Sequence, residues 1–102
     1  MKILLCIDGS TNAERAAAHV ATLRRELHPL DVTMLYVDIP LTGKISTLLE
    51  PDAVEQMHRA NADAAFKSAR VLLRRARIRS QEIIRSGNVV DCITRTARRG
   101  KF

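Results

Sequence analysis

The 102-residue sequence has no tryptophan, one tyrosine and two phenylalanines. With Tyr36, Phe66 and Phe102 as the only aromatics, a surface that works by stacking bases on ring faces is poorly provided for, and the core must be aliphatic and alanine-rich. There are two cysteines, Cys6 and Cys92, and no Cys-x-x-Cys spacing. That excludes a zinc knuckle, and both thiols are expected to be buried, reduced and packed as small hydrophobes, a disulfide joining the first strand to a covering helix being the poorly motivated alternative. Four glycines and three prolines are too few for a low-complexity or collagen-like chain. No apolar run approaches the roughly 20 residues of a membrane-spanning helix. The apolar start carries one lysine and passes straight into Asp8-Gly9-Ser10 without a small-residue cleavage site, so no secretory signal is expected and the cytoplasm is the expected location.

Acidic residues are also in short supply. There are 11 against 17 lysines and arginines, a net charge of +6. The excess is almost all arginine, at Arg24-Arg25, Arg74-Arg75, Arg77, Arg79, Arg85, Arg95, Arg98 and Arg99. These positions cluster near the ends of predicted helices, where cations complement the helix dipole. A nucleic-acid-binding surface is the alternative reading of the same residues, and it would need steeply salt-dependent binding.

What the chain does have is an unbroken apolar run, Ile3 to Ile7, ending in Asp8-Gly9-Ser10. Without polar alternation it reads as a strand covered on both faces, the usual state in a parallel α/β sheet. Ligands in such sheets bind at the carboxyl ends of the strands. The length allows one domain. A helix is expected over about 11–27, with Thr11-Asn12-Ala13-Glu14 as a capping box and Ser10 as a competing cap. Its apolar stripe is Ala13, Ala16, Ala17, Val20, Leu23 and Leu27, and His28-Pro29 ends it. A second strand, Val32 to Val37, is closed by Asp38-Ile39-Pro40, and a loop occupies 40–50. Pro51 suits the first turn of a long helix running to about Arg75, with the stripe Val54, Met57, Ala65, Phe66, Ala69, Leu72, Leu73 and Ala76. The third strand, about Ile78 to Arg85, is interrupted by arginine and glutamate, as an edge strand can be. Ser86-Gly87-Asn88 makes a turn and cap. A third helix over 89–99 is expected to bury Val89, Val90, Ile93 and Ala97, with Gly100 just past its end.

The order is therefore β-α-β-α-β-α: an α/β fold, a three-layer Rossmann-like parallel sheet with the third strand outermost. Right-handed crossovers place the first two helices on one face and the third on the other.

Lys2-Ile3-Leu4-Leu5-Cys6-Ile7-Asp8-Gly9-Ser10 followed by an alanine-rich helix, Val32-Thr33-Met34-Leu35-Tyr36-Val37 followed by Pro40, and Gly87-Asn88 before the last helix resemble a universal stress protein domain. That family lies within the adenine-nucleotide α-hydrolase-like group. The resemblance covers residues 1–102, and the opening strand with Asp-Gly-Ser is its most specific part. Family members normally continue into a fourth strand, a Gly-x-x-G loop with a later Gly-Ser or Gly-Thr, a fourth helix and a fifth strand. The resemblance thus implies the N-terminal two thirds of a family domain, truncated at its C-terminus, with strands 4 and 5 of the family fold missing.

The resemblance also implies a stress-response module whose intact form binds ATP or another adenine nucleotide at the ends of strands 1 and 2. Asp8 would bond a ribose hydroxyl or adenine edge, the backbone of Val37 would contact adenine, and Ile7, Gly9 and Ser10 would complete the nucleotide-binding set. Affinity is expected to be weak or absent without a glycine loop. Assembly as a homodimer or higher oligomer is implied as well. A module that binds no nucleotide and works through an exposed sheet edge is the alternative. No residue set looks catalytic: His19, His28 and His58 have no spacing that makes a triad or metal site, so ATP hydrolysis, if present, is expected to be weak.

Overall fold

The computed structural model describes residues 1–27, 29–39 and 50–102. The described elements are β1 (Lys2–Cys6), α1 (Thr11–Leu23), β2 (Asp31–Asp38), α2 (Pro51–Arg75), β3 (Ser80–Ser86) and α3 (Val89–Gly100). The three strands form one parallel sheet in the order β1-β2-β3, the α/β layout expected. His28 and most of the 40–50 loop lie outside the described residues.

The pleat of β2 sorts its side chains between two layers. Val32 and Met34 face α1 and α2 and are fully buried with Ala17, Ala62 and Phe66. Leu5, Ile7, Ala13, Val20, Ala69 and Leu73 complete that core. Ala62, which the apolar stripe of the sequence omits, is among its most buried members. Thr33 and Leu35 point the other way and are also buried, on the face that α3 covers. The C-terminus of α3 reaches back to the start of β1, where the Lys2 ammonium donates to the Gly100 carbonyl and stands 5.2 Å from the centre of the Phe102 ring.

Helix boundaries differ from expectation for identifiable reasons. Ser10 wins the competition for the α1 cap: its Oγ accepts from the Ala13 amide at 3.2 Å. The helix stops at Leu23 rather than Leu27, because the amides of Glu26 and Leu27 both return to the Leu23 carbonyl, at 3.1 and 2.7 Å, and close a turn. The third strand starts at Ser80 rather than Ile78. Arg77 adopts a left-handed conformation (φ 59°), and the amides of Arg77 and Ile78 bond back to Arg74 and Leu73 at 3.0 and 2.9 Å. This is a Schellman ending, and it commits Ile78 to the core as a helix-terminal plug.

The same motif ends α3, with Lys101 (φ 56°) as the left-handed residue and the Phe102 amide returning to Ala97 at 3.2 Å. Gly100 is therefore the last helical residue, not the one past the end. A Cβ there would meet the Phe102 ring, which would have to swing aside.

Two expectations about burial are corrected on the α3 side. Val89 and Val90 are 46% and 70% exposed, while Ile93 and Ala97 are half-buried. Cys6 is exposed and Cys92 half-buried, both as free thiols. The cause is the same in each case. Among the described residues a single helix covers this face, crossing chiefly over β2, so the outer side of β1 and the first turn of α3 are left uncovered.

Candidate functional site

Because the strands are parallel, their carboxyl ends share one rim. The β1–β2 ladder ends with Cys6 opposite Leu35, and the Ile7 amide extends it by one bond to the Leu35 carbonyl at 2.8 Å. Asp8 and Val37 are each two residues beyond that last pair, so the backbone brings them to the same edge.

Past Ile7 the chain must turn into α1. Asp8 starts the turn, its Oδ1 accepting from the Ser10 amide at 2.9 Å. Gly9 supplies the left-handed conformation it needs (φ 81°). Ser10 then caps the helix. Hydrogen bonding from the Ser10 hydroxyl and amide holds the Asp8 carboxyl below its ordinary pKa. Asp8 and Gly9 line a shallow depression of about 290 Å³ with Tyr36, Asn61, Ala64 and Ala65. Of the other three expected site residues, Ile7 has its side chain in the core and offers only backbone. Ser10 is occupied as a cap. Val37 is half-buried, and the pleat turns its side chain away from the face that carries Tyr36.

The sequence reading missed a second group of residues at this rim. Asp38, the last residue of β2, accepts four hydrogen bonds. Oδ2 receives His58 Nδ1 at 2.7 Å and Asn61 Nδ2 at 2.9 Å. Oδ1 receives the Ile39 amide at 3.0 Å and the Tyr36 hydroxyl at 3.3 Å. His58 and Asn61 are one helical turn apart on α2, so a single face of that helix presents both donors to the strand end. A carboxylate can only accept, so Nδ1 of His58 carries the proton and Nε2 is the remaining nitrogen. His58 also lines a separate cleft of about 580 Å³ with Val54, Ile84, Arg85 and Ser86. The signal available in the sequence was Tyr-x-Asp at a strand end followed by His-x-x-Asn on a helix.

Burial alone would raise the Asp38 pKa. The hydrogen bonds from Asn61, His58 and the Ile39 amide, with the imidazole charge, outweigh it and hold the group below its ordinary value. Burial, together with the charge of Asp38, pushes the Tyr36 phenol up. A carboxyl with a depressed folded pKa adds stability above its unfolded pKa, about 3.9, and loses it as pH falls through the folded value. Unfolding free energy is therefore expected to be level with respect to this group above about pH 5 and to fall progressively below about pH 4. Denaturant midpoints measured from pH 7 to pH 2 check this, and the Asp38→Asn chain should show a shallower acid limb.

Chemically, the depression offers Asp8 as an acceptor for hydroxyl or amino donors, and the neighbouring network offers a fixed imidazole. Among the described residues no group of three or more histidine, cysteine, aspartate or glutamate side chains could hold a metal ion. No helix among them is long and apolar enough to cross a membrane.

A parallel sheet with helices on both faces and a ligand-accessible rim at its strand ends defines an α/β domain of the Rossmann-like class. Within that class the chain belongs to the universal stress protein family, whose model matches residues 1–102. A universal stress protein family member from Burkholderia pseudomallei superimposes with a TM-score of 0.72 at 19% identity, over 96% of this chain and 73% of that one. A universal stress protein family protein from Arabidopsis thaliana, solved with AMP bound, gives 0.70 at 14% identity, over 99% and 71%. No curated protein matches the chain.

Proposed function

We propose that this chain is a stress-response module that binds an adenine nucleotide, AMP or ATP, at the rim formed by the ends of β1 and β2. The observation that carries the reading is the placement of Asp8 and Gly9 in one depression with Tyr36 and Asn61, at the strand ends where α/β sheets take ligands. The AMP bound by the similarly folded Arabidopsis protein supports it. Asp8 would accept from the ribose hydroxyls, and the backbone of Ile7 and Val37 would meet the adenine edge. Ser10 holds the start of α1 towards the same rim. Residues 1–102 alone hold the ribose and base rather than the phosphates, for which a Kd of about 1 mM, about −4 kcal/mol, is expected.

Titration of the 15N-labelled protein with AMP is expected to shift the amides of Asp8, Gly9, Tyr36 and Asn61. Asp8→Ala is expected to weaken binding about tenfold, the worth of one charged hydrogen-bond acceptor. Millimolar AMP and ATP that leave these amides unmoved would overturn the reading.

A second reading rests on β1. Among the described residues it pairs only with β2, leaving one edge of an apolar strand open. An interaction module that assembles as a homodimer through that edge, in the cytoplasm and without nucleotide, fits this observation. Light scattering on the eluting protein should then give twice the chain mass, with no nucleotide retained.

A further inference from the structure

The outer face of the sheet carries a groove that the nucleotide reading does not use. α3 crosses chiefly over β2, and beside it the outward side chains of β3 are only partly covered, Gln81 and Arg85 exposed and Ile83 half-buried. The groove between them encloses about 540 Å³. Its helical wall is Cys92, Arg95, Thr96 and Arg99, one face at a spacing of three and four residues; its floor is Gln81, Ile83 and Arg85, alternate residues of one strand face.

Its charge is one-sided. Arg85, Arg95, Arg99 and Lys2 line it against a single acid, Asp31. Lys2 is already engaged with Gly100 and Phe102. Among the described residues neither Arg95 nor Arg99 pairs with a carboxylate. The other face of β3 is different: there Arg70 grips Glu82 through Nε and Nη2, both at 2.6 Å, and reaches Asp63 at 2.8 Å. The sheet face under α2 is thus neutralised within the chain, and the face beside α3 is not.

We propose that this groove binds an acidic peptide segment in extended conformation, laid along β3. Three observations select that occupant. Among the described residues β3 pairs only with β2, so its outer edge offers main-chain donors and acceptors for an added strand. From Gln81 to Arg85 the floor runs about 13 Å, and from Cys92 to Arg99 the wall rises about 10 Å, the reach of four or so extended residues. Alternate acidic side chains of such a segment would meet Arg85, Arg95 and Arg99. The one aromatic in the groove, Phe102, is packed on Gly100 beneath Lys2, which leaves no free ring for stacking bases.

The test is fluorescence anisotropy on the full chain with a labelled short peptide of alternating Glu and Val. The Arg95→Glu/Arg99→Glu chain is expected to bind about tenfold more weakly, and an Arg15→Glu/Arg25→Glu chain of the same net charge, altered on exposed residues of and beyond α1, less than about twofold. Methylating alternate backbone amides of the peptide should abolish binding. Circular dichroism of each variant fixes the folded fraction. Equal weakening in the two doubles, unchanged affinity in the first, full binding by the methylated peptide, or tighter and steeply salt-dependent binding of an oligo-dT strand would each overturn the proposal.

Discussion

Phe66→Ala is expected to destabilise the protein by about 3–5 kcal/mol, close to half of what a domain of this size can hold in reserve. Phe66 is the largest fully buried side chain. It sits midway along the inner face of α2, where its ring meets Tyr36 edge-on, with centroids 6.2 Å apart and planes at 72°. The Arg70 guanidinium covers it at 5.4 Å from the ring centre. The one neighbouring ring, Tyr36, is held by its hydroxyl on Asp38 and is not free to fall into the space. The surrounding alanines, Ala62 and Ala69, are too short to fill it. Phe66→Leu keeps much of the volume and should cost about 1–2 kcal/mol. Urea unfolding of the two variants checks both values; near-equal losses would mean that the ring's size is not what matters.

Asp38→Ala is expected to cost about 2–3 kcal/mol, and Asp38→Asn about half of that, at pH 7. The carboxylate is the common acceptor for His58, Asn61, Tyr36 and the Ile39 amide. Alanine strands all four donors, and water can reach only some of them. Asparagine retains one acceptor oxygen but turns an NH2 towards donors. The imidazole tautomer gives an independent readout. In the native chain the 15N shifts of His58 should report a protonated Nδ1, and in the alanine variant the preference for that tautomer should relax. A stability loss below about 0.5 kcal/mol in Asp38→Ala would show the network to be decorative.

The strand order and the sides of the helices were legible because the relevant signals are local and redundant. The unbroken apolar runs mark β1 and β2 as strands of a parallel sheet, though only β2 is buried on both faces, and the alternation with helices leaves few topologies open. The long helix was legible from Pro51 and its apolar stripe. The sequence did not show where a residue's partner lies across the fold. Asp38 reads as a strand-closing acid and His58 as an incidental histidine until α2 is laid against β2, 20 residues apart in the chain. Likewise, Val89 and Val90 carry helical periodicity, but periodicity cannot say whether a layer exists above them. The start of β3 and the end of α3 were misread because a left-handed arginine or lysine closes the helix at each place; the end of α2 at Arg75 was read correctly.

The buried residues of α2 begin only at Ala62. Ahead of it, the stretch from Pro51 to Asn61 rises about 16 Å, with Val54, Met57 and His58 partly buried, and among the described residues His58 and Asn61 tie it to Asp38. One of those two ties, Asn61, is also a wall of the depression beside Asp8. A proton or an incoming hydroxyl that competed for the Asp38 oxygens would therefore weaken what holds the first turns of α2 against the end of the sheet.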